Sequence, residues 1–173
     1  MLVMLASFLL PPVAHVAGAL PVEIRLAAAV VAGFGATAVM TLVMEVLPEG
    51  DVPPYVAAAP LFGTSAGRIS KRQADIAHYA AGMLAGVLYE LAVSGLDLVQ
   101  SASQQLVLLG RPVPLTLSDP FAVMFVIGFL YVFFGYLVFP RFGGRLYADT
   151  TVRRTVRRDW FISAMVYGGM LLI

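Results

Sequence analysis

Residues 120–139 read PFAVMFVIGFLYVFFGYLVF and contain no charged side chain. At 1.5 Å per residue, an α-helix of this length covers about 30 Å, which is the thickness of the hydrocarbon core of a bilayer. A run this long and this apolar is typical of a transmembrane helix and not of a helix in a soluble core. The stretch therefore indicates a membrane protein.

The composition of the whole chain agrees with this interpretation. Of 173 residues, 60% are hydrophobic and 12% are charged, against about 25% charged in soluble domains. A globule of this size has too much surface to hide so many apolar side chains, so residues 1–173 are predicted to form one transmembrane domain. The absence of cysteine excludes disulfides, thiolate metal sites and a cysteine nucleophile.

Further apolar runs predict further spans. One covers residues 26–47 and ends at Pro48, and another covers residues 76–96. A fourth run, residues 160–173, is short, because at 1.5 Å per residue it covers only about 21 Å. We expect an all-α, polytopic membrane protein with a four-helix transmembrane core.

The N-terminal stretch, residues 1–22, has no acidic or basic side chain, but Pro11 and Pro12 interrupt it. Consecutive prolines remove two backbone donors and kink or break a helix. Three alternatives stay open: a kinked fifth span, a half-inserted segment, or a start that is removed as a leader or misassigned, although the usual basic region of a leader is missing. A fifth hydrophobic segment is the preferred interpretation.

Basic residues predict the orientation. Nine of the eleven lie in two connections, residues 48–75 and 141–159, which alternating spans place on one side of the membrane. Because loops rich in arginine and lysine stay inside, both connections are predicted to be cytoplasmic loops of a protein of the cell membrane. The connection 97–119, where Arg111 is the only basic residue, is expected outside.

The first of these loops carries four prolines and then small polar residues, which predicts an ordered extended stretch followed by a flexible turn. The prolines are Pro48, Pro53, Pro54 and Pro60. The apolar patch at residues 55–62 is too short to span, so we expect it to lie on the membrane surface or to re-enter slightly.

Glu90 is the first candidate for chemistry, because it lies about 21 Å into the second span. An ionised carboxylate in that position must be protonated, paired or facing water, and Tyr89 and Tyr131 are its possible hydroxyl partners. One interpretation is a proton or cation site in a transport path. The other is a packing hydrogen bond or a carboxylate near the outer surface, since Asp97 follows closely.

Glu45, Asp75 and His78 form a second candidate group at the cytoplasmic boundary. A histidine with two carboxylates could bind a metal or relay protons, but such groups also solvate ordinary helix ends. No metal or cofactor is predicted. A haem held by His15 and His78 is rejected, because the two residues are expected at different depths.

Four arginines fall on one helical face, at positions i, i+1, i+4 and i+5. They are Arg153, Arg154, Arg157 and Arg158. A helix capped by Asp149, Thr150 or Thr151 would carry them into the fourth segment, where Trp160 is expected as an interfacial anchor. The face is interpreted as an anionic-lipid site or an ordinary positive-inside anchor, and nucleic acid is not an expected partner.

Small residues predict where helices approach closely, since lipid provides no hydrophobic force between them. Gly82 and Gly86 lie on the second span, and Ala29 and Gly33 on the first. The third span instead carries eight aromatic residues, which favours core packing or a face turned to lipid or to another subunit.

The stretch GATAVMTLVM at residues 35–44, and His78-x3-Gly82-x3-Gly86-x2-Tyr89, resemble patterns in small uncharacterised prokaryotic multi-pass membrane proteins. The resemblance covers about 40 residues and implies the fold class alone, because no activity is established for such families. A histidine expected in the last helix is absent here, and Met165 stands near its place.

Three functions are compatible with the sequence. The preferred one is a non-catalytic subunit, scaffold or assembly factor, because polar residues are few; its partners would be membrane lipids and another membrane protein or a second copy. The alternatives are a small oligomeric transporter or channel with Glu90 in the path, and an intramembrane enzyme using Glu45, Asp75 and His78.

Overall fold

The computed structural model describes residues 20–99, 105–108 and 111–173, so nearly all of the N-terminal segment predicted over residues 1–22 lies outside the described part. The described chain is all-α apart from one short hairpin. Its elements are α1 (Val22–Met44), α2 (Val52–Leu61), a first 3-10 turn (Ala66–Arg68), α3 (Lys71–Val99), β1 (Gln105–Leu108), β2 (Arg111–Thr116), α4 (Ser118–Val132), a π-helical segment (Phe133–Val138), α5 (Phe139–Phe142), a second 3-10 turn (Gly144–Tyr147) and α6 (Thr150–Leu171).

Three helices in the described part are long and apolar enough to cross a membrane. They are α1, α3 as far as Leu98, and the continuous helix from Ser118 to Phe142. They contain most of the predicted spans 26–47, 76–96 and 120–139. The all-α class and these three apolar helices are confirmed, whereas the sidedness of the loops stays a prediction.

Helix α1 ends at Met44, three residues before the predicted boundary, and Pro48 is not what ends it. The chain turns back on itself, and Gly50 packs directly on the backbone of Met44. A side chain at position 50 would overlap that backbone, so only glycine allows the turn to be this tight.

Helix α3 begins at Lys71, five residues before the predicted span. Ser70 and Gln73 form a reciprocal cap in which the Gln73 N–H donates to Ser70 Oγ at 3.3 Å and the Ser70 N–H donates to Gln73 Oε1 at 2.9 Å. This capping box satisfies backbone donors at the helix start. Hydropathy alone misses it, because the first turn is polar.

The predicted extended stretch after α1 is wrong, because residues Val52–Leu61 form helix α2. Pro53 and Pro54 lie in the first turn, where backbone N–H groups have no helical partner and proline costs little. Val56 and Ala58 are fully buried beneath α3 and α5, so the middle of the apolar patch packs on the bundle, whereas Leu61 and Phe62 at its end are exposed.

The third apolar helix changes register before Pro140. The wide π-helical turn has the Phe139 N–H bonded to the carbonyl of Phe134, five residues back. Pro140 lacks an N–H and would clash with the carbonyl four residues earlier in a regular α-helix, and a wider turn relieves that clash. The Gly135 carbonyl is then left without a backbone donor, because its α-helical donor is occupied and its π-helical donor would be proline.

The connection 97–119 contains a hairpin that the sequence did not lead us to expect. Strands β1 and β2 pair antiparallel, with Gln105 opposite Thr116 and Leu108 opposite Arg111. The hairpin leads into α4.

Helix α6 begins at Thr150, ten residues before the predicted fourth segment 160–173. The Asp149 carboxylate caps it by accepting the N–H groups of Thr151, at 2.7 Å, and Val152, at 3.3 Å. These donors hold the pKa of Asp149 below its usual range. A helix that runs from the basic stretch into the apolar one is thus confirmed. Its crossing of the membrane stays a prediction, because arginines occupy its first half.

The long helices pack as a bundle in which α1 contacts α3 and α6, and α4 contacts α3 and α6. The predicted small-residue contact is confirmed between α1 and α3. A Cβ at Gly33 would stand 2.5 Å from the Gly82 carbonyl oxygen and 3.2 Å from Gly86 Cα. We call the end that carries residues 45–75 and 141–159 the basic end.

Candidate functional site

Glu90 is buried and paired with a basic residue that the sequence analysis overlooked. Arg25, near the start of α1, donates its Nε to Glu90 Oε1 at 2.7 Å, and a second guanidinium nitrogen contacts the same oxygen. Arg25 also reaches the hydroxyl of Ser94, which donates to the Glu90 carbonyl at 2.9 Å. The pair joins α1 to α3 away from the basic end, and the pairing offsets part of the cost of burying the carboxylate.

Tyr89 is not a partner of Glu90, which corrects the first expectation. Its hydroxyl points to α4 and donates to Asp119 at 2.6 Å. Asp119 is 1% exposed and also accepts the Thr116 backbone N–H at 2.7 Å and the Thr116 hydroxyl at 3.0 Å. Three donors and the N-terminus of α4 thus stabilise this carboxylate.

Tyr131 is not a partner of Glu90 either. Its ring lies edge-on against Tyr136 and Phe161, within the contact between the third apolar helix and α6. Glu90, Tyr89 and Tyr131, which the sequence suggested as one group, therefore have three separate sets of partners.

The structure does not bring Glu45, Asp75 and His78 into one group. The His78 ring is buried, with Nε2 3.2 Å from the Thr41 hydroxyl. Asp75 instead accepts from Lys71 at 3.0 Å, one turn earlier on the same helix, and Glu45 is exposed. In the described residues no cluster of three or more histidines and carboxylates is arranged to hold a metal.

His78 borders a cavity of about 20 Å³ between the four long helices. The polar groups in its wall include Thr37, which donates to Gly33 O at 2.6 Å, and Tyr167, which donates to Gly82 O at 2.7 Å. The volume suits one water molecule.

Trp160, expected as an interfacial anchor, lies inside the bundle, which corrects that expectation. It is buried against Phe134 and Phe139, and its Nε1 donates to the Leu130 carbonyl at 3.1 Å. Trp160 thus packs α6 on the third apolar helix and also borders the cavity.

The four arginines of the basic run do not act as one face. Arg157 turns inward, where its Nε donates to the Gly135 carbonyl at 3.2 Å and contacts the Tyr147 hydroxyl at 2.7 Å. Its guanidinium also lies 4.4 Å from the centre of the Tyr136 ring, in cation–π geometry. Arg157 therefore donates a hydrogen bond to the Gly135 carbonyl, which the π-helical segment and Pro140 leave without a backbone donor.

Arg158 is also engaged, with a carboxylate that the sequence analysis overlooked. Asp159 is fully buried and accepts Arg158 Nε at 2.9 Å and the Glu49 backbone N–H at 3.0 Å. Asp159 thereby joins α6 to the turn after α1. Arg153 and Arg154 are exposed, and Arg153 donates to the Ala148 carbonyl at 3.1 Å.

Two of the functional residues that the sequence analysis overlooked, Asp119 and Arg25, could have been found from the sequence. Thr116-x-x-Asp119 has the spacing of a capping box, which places Asp119 on a helix start. Arg25 lies just outside the first predicted span, at the end where the second span carries Glu90. Asp159 gives no such signal, because its partner Glu49 contributes only a backbone N–H.

Together these contacts satisfy the polar groups of the interior. Every buried side-chain nitrogen or oxygen in the described residues has a hydrogen-bond partner within the chain. Scans against protein-family models and searches of curated proteins and of solved structures found no match for this chain.

Proposed function

We propose that this chain is a non-catalytic subunit or scaffold that packs beside another membrane protein. The observation that carries the proposal is that every buried polar side-chain atom among the described residues already has a hydrogen-bond partner within the chain. Transport paths and intramembrane catalytic sites need polar groups that converge on a space for the substrate. Here several of the buried polar groups join one helix to another, as Arg25–Glu90, Tyr89–Asp119 and Tyr167–Gly82 do.

The transport alternative has less support, because its key residue is occupied. The Glu90 carboxylate is paired with Arg25 and also accepts a hydrogen bond from Ser94, and this arrangement favours a structural role. The enzyme alternative has less support again, because Asp75 pairs with Lys71, Glu45 is exposed, and the described residues form no cluster of three histidines and carboxylates.

The outer surface of the bundle supports a packing role. Phenylalanines at positions i, i+4, i+8 and i+12 along the third apolar helix are exposed and follow one another in partly stacked pairs. They are Phe121, Phe125, Phe129 and Phe133. Such a regular aromatic face suits contact with either lipid or another helix.

Native mass spectrometry of the protein extracted gently from its own membrane tests the proposal. We expect a reproducible additional protein mass that co-purifies with the chain. A monomer or homo-oligomer without any other protein would contradict the proposal and favour transport.

Site-specific photocrosslinking adds a control for chance co-extraction. A photoreactive amino acid is placed at Phe125, at Leu42 on α1 or at Leu84 on α3, all of which are exposed. A subunit gives a crosslink to one protein from one of these faces. Crosslinks to lipid alone from all three faces would contradict the proposal.

The transport alternative is tested with Glu90→Gln and Arg25→Gln in liposome flux assays. We expect both variants to lower thermal stability without abolishing a flux, because the pair joins two helices. A solute flux that is present in the natural protein and lost in Glu90→Gln at unchanged stability would establish the transport function instead.

A further inference from the structure

The basic end of the bundle is built by two linkers that pack on each other. Helix α2 contacts α5, and the first 3-10 turn contacts the second. Segments far apart in the chain therefore share one surface, which we define as the linker surface: residues 61–68 and 139–147.

Three arginines on the linker surface are exposed: Arg68, Arg141 and Arg145. None of them forms an ion pair with another described residue, whereas the buried Asp159 pairs with Arg158. Their guanidinium groups are therefore available to an anion from outside the chain.

Large apolar side chains are exposed among these arginines. Leu61 is 69% exposed, Phe62 41%, Phe142 40% and Leu146 36%. Phe142 and Leu146 alternate with Arg141 and Arg145 along the second linker. Such a mixture of apolar and basic side chains is typical of segments that lie at the boundary between headgroups and acyl chains.

We propose that the linker surface binds anionic phospholipid headgroups, with the arginines contacting the phosphate and Phe142 and Leu146 lying among the upper acyl chains. Positive charge complements the anionic leaflet, and each basic residue near it strengthens binding. The lipid site is thus on the linkers and not on the helical face of Arg153, Arg154, Arg157 and Arg158, where Arg157 and Arg158 are engaged within the chain. This proposal is independent of the partner protein proposed above.

The test uses the full chain in nanodiscs made of equal parts phosphatidylglycerol and phosphatidylcholine. Native mass spectrometry after release into detergent gives the ratio of the two lipids that stay bound. The variant Arg141→Gln/Arg145→Gln is compared with Arg153→Gln/Arg154→Gln, which removes the same charge from the basic end. We expect the first pair to reduce the preference for phosphatidylglycerol by roughly tenfold or more, and the second pair to leave it nearly unchanged.

Three outcomes would overturn the proposal. Equal losses of lipid preference in both variants would indicate general charge attraction, and the absence of any preference in the natural protein would show that there is no such site. Displacement of the bound lipid by millimolar inorganic phosphate or glycerol phosphate would indicate a site for a soluble anion. Thermal unfolding of both variants is measured in parallel. A loss of lipid preference counts only when the melting temperatures match that of the natural protein, and Phe142→Ser/Leu146→Ser gives a second test of the same surface with no change in charge.

Discussion

At the scale of single residues, Asp119 illustrates how a carboxylate is held inside an apolar bundle without an arginine or lysine in an ion pair. Its two oxygens accept hydrogen bonds from one tyrosine hydroxyl, one threonine hydroxyl and one backbone N–H. Hydrogen bonds to a charged group are stronger than neutral ones, and the start of α4 adds a favourable dipole. The Tyr89 hydroxyl is the only one of the three donors that comes from a different helix.

We therefore expect Tyr89→Phe to lower the free energy of unfolding by about 1–3 kcal/mol, because a buried carboxylate loses a donor. The measurement is reversible unfolding in mixed micelles. Tyr79→Phe on the same helix is the matched control, since its hydroxyl makes no hydrogen bond to the described residues. An equal cost for both substitutions would contradict the role assigned to Asp119.

At the scale of elements, the π-helical segment and α6 depend on each other. The segment accommodates Pro140 and leaves the Gly135 carbonyl without a backbone donor. Arg157 and Tyr147 donate to that carbonyl instead. The irregularity in one helix thus becomes the attachment point of another.

A double-mutant cycle tests this dependence. Arg157→Gln should lower stability by about 1–3 kcal/mol, because a buried acceptor loses a charged donor. The loss should be smaller when Pro140→Ala is also present, since alanine restores a backbone N–H near Gly135. Strictly additive effects would show that Arg157 stabilises the protein through other contacts. Arg154→Gln is the control for removal of charge, because Arg154 is exposed.

The contact between α1 and α3 depends on glycine, because the two backbones approach closely. We expect Gly33→Ala to destabilise the protein by about 1–3 kcal/mol, which is the usual cost of overpacking, since the new Cβ would lie 2.5 Å from the Gly82 carbonyl oxygen. Gly35→Ala, two residues away on α1, meets no atom within 4 Å and should be neutral or slightly stabilising. Thermal unfolding in detergent compares the two, and similar losses would argue against close packing at Gly33.

At the scale of the whole molecule, charge is divided between the two ends of the bundle. The basic end carries nine of the eleven basic residues and six of the ten acidic ones, which leaves it with a net charge of +3. The remaining charges sum to −2, in agreement with the total of +1. This asymmetry favours a cytoplasmic basic end.

The absence of cysteine makes this orientation directly testable. Single cysteines are introduced by Ser65→Cys at the basic end and by Ser103→Cys in the connection 97–119. In intact cells a membrane-impermeant maleimide should label the second variant, and the first only after the membrane is permeabilised. The reverse pattern would show that the basic end faces outward.

The amino-acid sequence by itself determined the helical class, the three long apolar helices and the helix that carries the basic run into the fourth segment. These properties follow from hydropathy, length and capping, which act between residues close together in the chain. The small-residue contact between α1 and α3 was also predictable, since few other residues allow two helices to approach this closely.

Only the tertiary structure decided which groups pair. Arg25 and Glu90 are 65 residues apart, and one partner of Asp159 is a backbone N–H 110 residues away. The helix at Val52–Leu61 was missed because prolines that suggest an extended chain are also tolerated in a first helical turn. Arg157 left the predicted lipid-binding face because a carbonyl on another helix lacked a donor. No local pattern reports that Arg157 donates to this carbonyl, because the contact exists only once two helices have packed together.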